Sequence, residues 1–244
     1  MKIFVKLFFI PVICLFMSSC AVQYQTEMLS ATELYEEARA KELNDEPFLA
    51  IDKYKKIEQY YPYSSESSYA MIRASYLLYS KKEYTEALIL IDRFSQFFPV
   101  HKQSLYMKYL EGRTFESQIK QVGRDQTFAL KAFDIYQEII ELYPDSIYIA
   151  DVKFRRELIQ DILAYKIVKI GVDNSKKGFF PSAIHRFNKA IELYPESSVI
   201  PEAIYRSMIA HKELHLTEES RKLLQTLEDK YPNSRWTKYA KTDL

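Results

Sequence analysis

The chain has 244 residues, and only four of them are glycine. Such scarcity argues against Rossmann and P-loop enzymes, which need glycine where the backbone approaches phosphate, and against β-sandwiches with glycine-bearing hairpins. The 34 basic side chains nearly balance 33 acidic ones, so no nucleic-acid partner is expected. The chain is rich in Leu, Ile, Ala, Glu, Lys and Tyr, which favours an all-α fold. Hydrophobic residues make up 48% of it, enough for a sizeable core.

Residues 1–19 have the pattern of a secretory signal peptide. Two lysines precede an eleven-residue apolar stretch, Leu7 to Met17, which is too short to cross a bilayer. Small residues and then Cys20 follow, and this arrangement resembles the bacterial lipobox, although Met17 stands where Leu is usual. The resemblance implies that Cys20 becomes an acylated N-terminus. Because Ala21 follows it rather than Asp, an outer-membrane location is expected.

Beyond a tether over residues 20–30, the sequence repeats. Five aromatic-proline pairs share a common register, and their prolines are 37, 45, 51 and 37 residues apart: Tyr61-Pro62, Phe98-Pro99, Tyr143-Pro144, Tyr194-Pro195 and Tyr231-Pro232. A small residue lies twelve places before each proline, and apolar residues lie eight and five places before it, which puts them on one face of a helix. Since proline pushes the preceding residue out of helical geometry, each step ends a helix. The Ser or His two places after each proline is a candidate N-cap for the next helix.

This pattern resembles the tetratricopeptide repeat, in which two antiparallel helices form each unit. In that repeat a small residue of the first helix stands where the paired helices cross. The register places Ala38, Ser75, Gly112 and Gly171 there, whereas Met208 breaks the rule. We therefore predict an all-α, right-handed α-solenoid of five helix pairs, with each pair buried only against its neighbours.

The two long proline intervals locate irregularities. Eight extra residues fall within a predicted insertion loop over residues 116–127, between N-terminal repeats over 31–115 and C-terminal repeats over 128–244. Fourteen extra residues precede Gly171. Fourteen is close to four helical turns, so the apolar face stays in phase and one long helix from Tyr148 to about Asn174 is predicted.

The first helices of such repeats line a concave surface. The residues expected there form a candidate binding groove: Tyr35, Tyr69, Ile72, Tyr76 and Tyr79. Tyrosine offers a large, rigid contact area with a hydrogen-bonding tip. The alternative is that these side chains belong to the core.

No catalytic residue, metal site or cofactor is predicted. His211 and His215 have a metal-ligand spacing of four, but their context is H-K-E-L-H rather than H-E-x-x-H, and a structural role is favoured for His211. His101 occupies the turn position held elsewhere by serine, which favours turn chemistry. The mature chain would have no cysteine except Cys20, so no disulfide is expected.

Several short sequence motifs are not explained by a generic tetratricopeptide repeat. They cover most of the chain: Tyr61-Pro62-Tyr63-Ser64, Asp92-Arg93-Phe94, Pro99-x-His101, Tyr106-x-x-Tyr109-x-x-Gly112, Arg124-Asp125, Tyr148-x-x-Asp151 and Ala183-Ile184-His185-Arg186-Phe187. In this order they resemble the BamD (ComL/YfiO) family of outer-membrane assembly lipoproteins. The stretch from Ile167 to Asp173 departs from the family pattern.

The resemblance implies a non-enzymatic scaffold on the periplasmic face of the outer membrane. Its expected partners are unfolded outer-membrane proteins, received by the N-terminal repeats, the POTRA domains of the barrel subunit BamA, and other assembly lipoproteins. Arg186 is the residue expected to make an ionic contact with the barrel subunit. Asp92 and Arg93 are expected to form a salt bridge between helices, with a partner contact as the alternative.

Two other functions stay open from the sequence. A repeat lipoprotein could serve pilus or secretin assembly, or coordinate envelope division, and an exported helical-repeat enzyme is a third class. Co-purification of the barrel subunit or of a secretin would distinguish the scaffolds, whereas hydrolase or metal-dependent activity would favour the enzyme.

Overall fold

A computed structural model describes residues 29–119 and 126–243. In these two ranges all regular structure is helical. The helices are α1 (Ala31–Leu43), α2 (Pro47–Tyr60), α3 (Ser65–Ser80), α4 (Tyr84–Phe97), α5 (Ser104–Glu116), α6 (Thr127–Leu142), α7 (Ile149–Lys176), α8 (Phe180–Leu193), α9 (Ile200–Glu213), α10 (Thr217–Lys230) and α11 (Arg235–Asp243). The signal peptide, Cys20 and the Gly123-Arg124-Asp125 part of the insertion lie outside the described residues.

Helices pack in the order of the chain. Each helix from α1 to α10 packs against the helix that follows it in the chain. Odd-numbered helices of neighbouring repeats are also in contact, for example α1 with α3 and α7 with α9. The predicted all-α solenoid of five helix pairs is confirmed. The last helix, α11, packs on α9 and α10 and covers the C-terminal end of the stack, as the terminal units of repeat proteins must.

The aromatic-proline step ends every even-numbered helix in the same way. The aromatic residue has φ between −131° and −135° and ψ between 50° and 56°, and its N–H donates to the carbonyl four residues earlier. The five residues are Tyr61, Phe98, Tyr143, Tyr194 and Tyr231. Proline at the next position excludes helical geometry here, so the chain turns at the predicted residue in all five repeats.

The serine two places after the proline is an N-cap at two of the predicted places. Ser64 Oγ accepts the Ser67 N–H at 3.0 Å and caps α3. Ser234 directly precedes α11 and caps it, since its Oγ accepts the Trp236 N–H at 3.2 Å. Ser197 Oγ accepts the Val199 N–H, but α9 has Val199 as its N-cap. For Ser146 the prediction is wrong, because α7 has Tyr148 as its N-cap. The proline turn is therefore shared by all repeats, whereas the cap is not.

Glycine occupies two of the helix crossings because a side chain would not fit. A Cβ added to Gly112 would lie 2.5 Å from Tyr136 Cε1, and one added to Gly171 would lie 2.5 Å from Phe187 Cε1. Met208 breaks the small-residue rule but is fully buried, and its carbonyl accepts Ser220 Oγ at 3.1 Å. The tight crossing is thus a feature of individual repeats.

The predicted long helix is confirmed by α7, which has 28 residues. Its buried residues Val152, Ile159, Leu163 and Val168 keep one face in contact with the core over the added turns. Among the described residues, none of the helices combines the length and the apolar character that a bilayer crossing requires.

Candidate binding surface

The odd-numbered helices carry a row of tyrosines from the first repeat to the fourth. We call this set the tyrosine row: Tyr35 on α1, Tyr69, Tyr76 and Tyr79 on α3, Tyr106 and Tyr109 on α5, and Tyr148 at the start of α7. Successive odd helices lie side by side, so the row crosses the repeats rather than running along one helix.

The predicted groove residues differ in exposure. Tyr69 and Tyr76 are 37% and 42% exposed, whereas Tyr35 and Tyr79 are half-buried and pack on the core. Ile72 is only 9% exposed and belongs to the N-terminal core cluster. Burial of an aliphatic side chain stabilises the fold, so Ile72 packs beneath the surface and supports it.

Arg73 fixes the N-terminal part of the row. Its guanidinium forms an ion pair with Glu42 of α1 and lies 5.8 Å from the centre of the Tyr76 ring. Tyr54 donates its hydroxyl to the same Glu42 carboxylate at 2.9 Å. Burial pushes the pKa of Glu42 upward, but the hydrogen bonds from Arg73 and Tyr54 outweigh it and leave this pKa below its usual value. Glu42 is therefore a carboxylate at neutral pH, and it holds Arg73 beside Tyr76.

Arg113 joins the tyrosines of two repeats. It donates to the Tyr109 hydroxyl at 2.9 Å and to the Tyr79 hydroxyl at 3.2 Å, and it lies about 6 Å from both ring centres. The Tyr109 ring stacks on Tyr148 with 4.7 Å between centres and 13° between planes. These contacts connect α3, α5 and the start of α7, so the middle of the row is held rigid.

A network of charges lies next to the row. Asp151 accepts the Tyr109 hydroxyl at 2.7 Å and Arg155 Nε at 2.6 Å. Arg155 also bonds Glu116, which accepts the Tyr136 hydroxyl at 2.7 Å. Although burial raises the pKa of Asp151, the hydrogen bonds from Arg155 and Tyr109 lower it more. The network ties α5, α6 and α7 together and fixes the Tyr109 hydroxyl on Asp151.

Two tyrosines of the row, Tyr106 and Tyr109, have raised pKa values. Burial, with smaller contributions from neighbouring tyrosines, raises the pKa of Tyr106 to about 12. Burial and the bond to Asp151 also raise the pKa of Tyr109. The surface thus offers aromatic faces and hydroxyl groups beside the guanidinium groups of Arg73 and Arg113. Side chains of this kind provide contact area and hydrogen bonds.

Sequence reasoning missed much of this surface, including Arg73, Tyr106, Tyr109, Arg113 and Asp151. The signal was present in the repeat register. Tyr35, Ile72 and Tyr109 are 37 residues apart and occupy equivalent positions, as do Arg39, Tyr76 and Arg113. Comparing the repeats position by position finds the row, but the bonds across it depend on how the repeats stack.

Arg186 is not part of this surface. It lies half-buried on α8, an even-numbered helix, whereas the tyrosine row lies on odd-numbered helices. Within the ranges 29–119 and 126–243, no ion pair or hydrogen bond involves its side chain.

Asp92 and Arg93 have structural roles. Arg93 on α4 forms an ion pair with Glu58 on α2, whose side chain is buried, so the predicted salt bridge between helices is confirmed for Arg93. Asp92 instead accepts Gln96 Nε2 at 2.8 Å, one turn along its own helix.

The histidines serve local structure. His101 Nδ1 accepts the Gln103 N–H at 3.1 Å, as the turn interpretation predicted. His211 Nδ1 lies 2.8 Å from the Ser207 carbonyl. His215 follows the end of α9 in a left-handed conformation with φ of 59°, so the two residues do not share a helix face. In the described part of the chain no three His, Cys, Asp or Glu side chains are grouped as metal ligands.

The fold and this surface define a helical-repeat protein of the tetratricopeptide type. Residues 27–225 match the family model YfiO, described as an outer membrane lipoprotein. The chain belongs to this family.

Curated relatives support the same assignment. The chain is 30% identical over 187 residues to the outer membrane protein assembly factor BamD of Caulobacter vibrioides, covering 77% of this chain and 61% of that protein. It is 29% identical to the factor of the same name from Rickettsia prowazekii, covering 78% and 76%. A solved structure, the TPR2AB domain of yeast Sti1 with an Hsp90 peptide, is similar at 14% identity over 87% of this chain and 82% of that one, with a TM-score of 0.46. A likeness this distant carries no functional information.

Proposed function

We propose that this protein is a lipid-anchored, non-enzymatic assembly factor for outer-membrane proteins, facing the periplasm. The observation that carries the proposal is the family match over residues 27–225, together with a rigid tyrosine row on the face where helical repeats bind peptides. In this proposal the row receives the C-terminal signals of unfolded outer-membrane proteins, and the C-terminal repeats dock on the POTRA domains of the barrel subunit BamA.

The chemistry of the tyrosine row suits such a ligand. Segments that become membrane β-strands alternate apolar and polar residues and carry aromatic residues at the membrane interfaces. Tyr69 and Tyr76 present open aromatic faces, and Arg73 beside them can meet a backbone carbonyl or a C-terminal carboxylate. Because Arg113 already fixes Tyr79 and Tyr109, little side-chain entropy is lost when the ligand binds.

Peptide binding tests the role of the row. A fluorescent peptide from the C-terminus of an outer-membrane protein is titrated with the wild type, Tyr69→Ala and Tyr76→Ala. Loss of an aromatic anchor costs about 1–2 kcal/mol, so each variant should bind about 5- to 30-fold more weakly. Tyr60→Ala is the matched control, because Tyr60 is 47% exposed but lies on the even-numbered helix α2, outside the row. Equal weakening by Tyr60→Ala, or none by the two row variants, would remove the row from the proposal.

Arg186 is the proposed ionic contact to the barrel subunit. Its side chain is partly buried and bonds to none of the described residues, so a carboxylate of a partner could pair with it. Arg186→Glu should abolish co-purification of the barrel subunit from outer membranes. Lys222→Glu makes the same charge change at an exposed site on α10 and should leave the complex intact. Retention of the barrel subunit by Arg186→Glu would exclude this contact.

The lipid anchor is tested separately. Cys20→Ser removes the acylation site and should leave a folded protein that is lost from the membrane fraction of cells lacking the partner subunits. Membrane retention of Cys20→Ser under these conditions would contradict the anchor. Recovery of a secretin instead of the barrel subunit in pull-downs from outer membranes would favour the pilus scaffold.

A further inference from the structure

The turns that follow the aromatic-proline steps lie along one edge of the solenoid. Even-numbered helices end at this edge and odd-numbered helices begin there. Contacts between repeats confirm the alignment: Thr32 at the start of α1 donates to Glu66 of α3 at 3.0 Å, and Ser68 of α3 lies 3.4 Å from His101 in the turn before α5. We call residues 61–64, 98–103 and 143–148 the proline-turn edge.

This edge carries the most exposed large apolar side chains of the described residues. Val100 is 97% exposed, Ile147 is 89% exposed and Tyr63 is 78% exposed. Each stands one or three places after a proline, at the tip of its turn. Tyr63 also packs edge-on against Phe97 with 5.5 Å between ring centres. Full exposure of such residues at successive turns is costly in water, which points to a second surface that covers them.

The chain entering the fold reaches the same edge. Tyr61 donates its hydroxyl to the Leu29 carbonyl at 2.8 Å, so the first described residue is held against the turn that contains Tyr63. Cys20 lies nine residues before Leu29. Nine residues span at most about 30 Å, so an acyl chain on Cys20 would keep this edge within that distance of the lipid headgroups.

We propose that the proline-turn edge of the first three repeats rests on the membrane, with Tyr63, Val100 and Ile147 inserted at the lipid interface. The inference rests on the lipid anchor in the proposed function. It also accounts for a difference along the solenoid. The first three turns each expose an apolar residue one or three places after the proline, whereas the fourth turn has Glu196 and Ser198 and the fifth has Asn233 and Arg235 at those places.

Insertion here is driven by apolar contact rather than by charge. Lys102 and Asp145 of the edge carry opposite charges, so no net charge attracts the edge to an anionic surface. Apolar side chains at an interface enter about 5–10 Å into the boundary between headgroups and acyl chains. A surface of zwitterionic phosphatidylcholine is therefore the appropriate probe, and addition of anionic lipid should leave the insertion unchanged.

The absence of other cysteines from the mature sequence allows a direct test. Tyr63→Cys, Val100→Cys and Ile147→Cys are made one at a time in the lipidated protein, labelled with a polarity-sensitive fluorophore and placed in phosphatidylcholine vesicles that contain a nitroxide-bearing lipid. Leu43→Cys is the matched control, because Leu43 is 77% exposed but lies at the opposite edge, where α1 turns into α2. All four sites are exposed, so the substitutions should leave the fold unchanged.

The labels at 63, 100 and 147 should emit at shorter wavelength and be quenched by the nitroxide lipid at least about threefold more than the label at 43. Flotation of the vesicles measures anchoring independently. If the protein floats and all four labels respond equally, the membrane-facing edge is refuted while the anchor stands. If the lipidated protein does not float, both the anchor and this inference fail.

Discussion

The crossing of α7 and α8 makes a quantitative prediction at Gly171. A Cβ built on this residue would lie 2.5, 2.8 and 3.0 Å from three ring atoms of Phe187, whereas ordinary contacts start near 3.4 Å. Phe187 is fully buried among Val168, Ala183 and Ala190, so its ring cannot turn aside. The two helices would have to separate by roughly 1 Å in a core packed at crystal-like density.

Two effects oppose each other in Gly171→Ala. Alanine is better than glycine in a helix interior by about 1 kcal/mol. Overpacking of a tight core costs typically about 1–3 kcal/mol. Because the added Cβ would lie only 2.5 Å from Phe187 Cε1, the overpacking cost at this site should be at the upper end of that range. We therefore expect a net loss of about 1–2 kcal/mol in the free energy of unfolding.

Urea denaturation followed by circular dichroism measures this loss. Phe187→Leu removes the ring atoms that the new methyl group would meet, so the Gly171→Ala and Phe187→Leu double variant should be less destabilised than the sum of the single variants by about 1 kcal/mol or more. A gain in stability from Gly171→Ala alone, as helix propensity would give, would refute the close crossing. Additive effects in the double variant would refute Phe187 as the cause.

Three further predictions concern turns and charges. Gly178 has φ of 79° with open space around it, so Gly178→Ala should cost only the backbone strain of about 1 kcal/mol, measured by the same denaturation. Burial lowers the pKa of His101, and the nearby Lys102 adds to the effect. The contribution of His101 to stability should therefore be full above the unfolded pKa of about 6.5 and decline as the pH falls below it. His101→Ser should lose less stability between pH 7.5 and 5.5 than the wild type, and an unchanged pH profile would contradict the assignment. Arg93→Met leaves the buried Glu58 carboxylate without its partner and should cost about 2 kcal/mol, whereas the double variant with Glu58→Met should recover most of it.

The repeat architecture was predictable because its signals are local. The aromatic-proline step acts through the conformation of one residue, so all five helix ends could be placed from the sequence. The added length of α7 was predictable for the same reason, since an insertion of whole turns conserves the apolar face. Serine caps were less predictable, because a serine hydroxyl has several backbone N–H groups within reach and the neighbouring turn selects one.

The candidate surface was only partly predictable. The sequence indicated tyrosines on the first helices, and Tyr69 and Tyr76 are open as expected. It did not show that Ile72, at the position equivalent to Tyr35 and Tyr109, lies in the core. Side chains at equivalent positions of the repeats contact different neighbours in the next repeat. Equivalent positions can therefore be buried in one repeat and exposed in another.

The sequence by itself determined the helices, their order, the C-terminal ends of the even-numbered ones and the places where paired helices cross. Each of these depends on residues close together in the chain or on the spacing of a repeat. The tertiary structure decided which side chains meet across repeats: Arg113 between Tyr79 and Tyr109, Arg155 between Asp151 and Glu116, and Arg93 beside Glu58. The contacts of Arg113 with Tyr79, Arg155 with Glu116 and Arg93 with Glu58 join residues about 30 to 40 positions apart, and their geometry depends on the angle at which one helix pair stacks on the next.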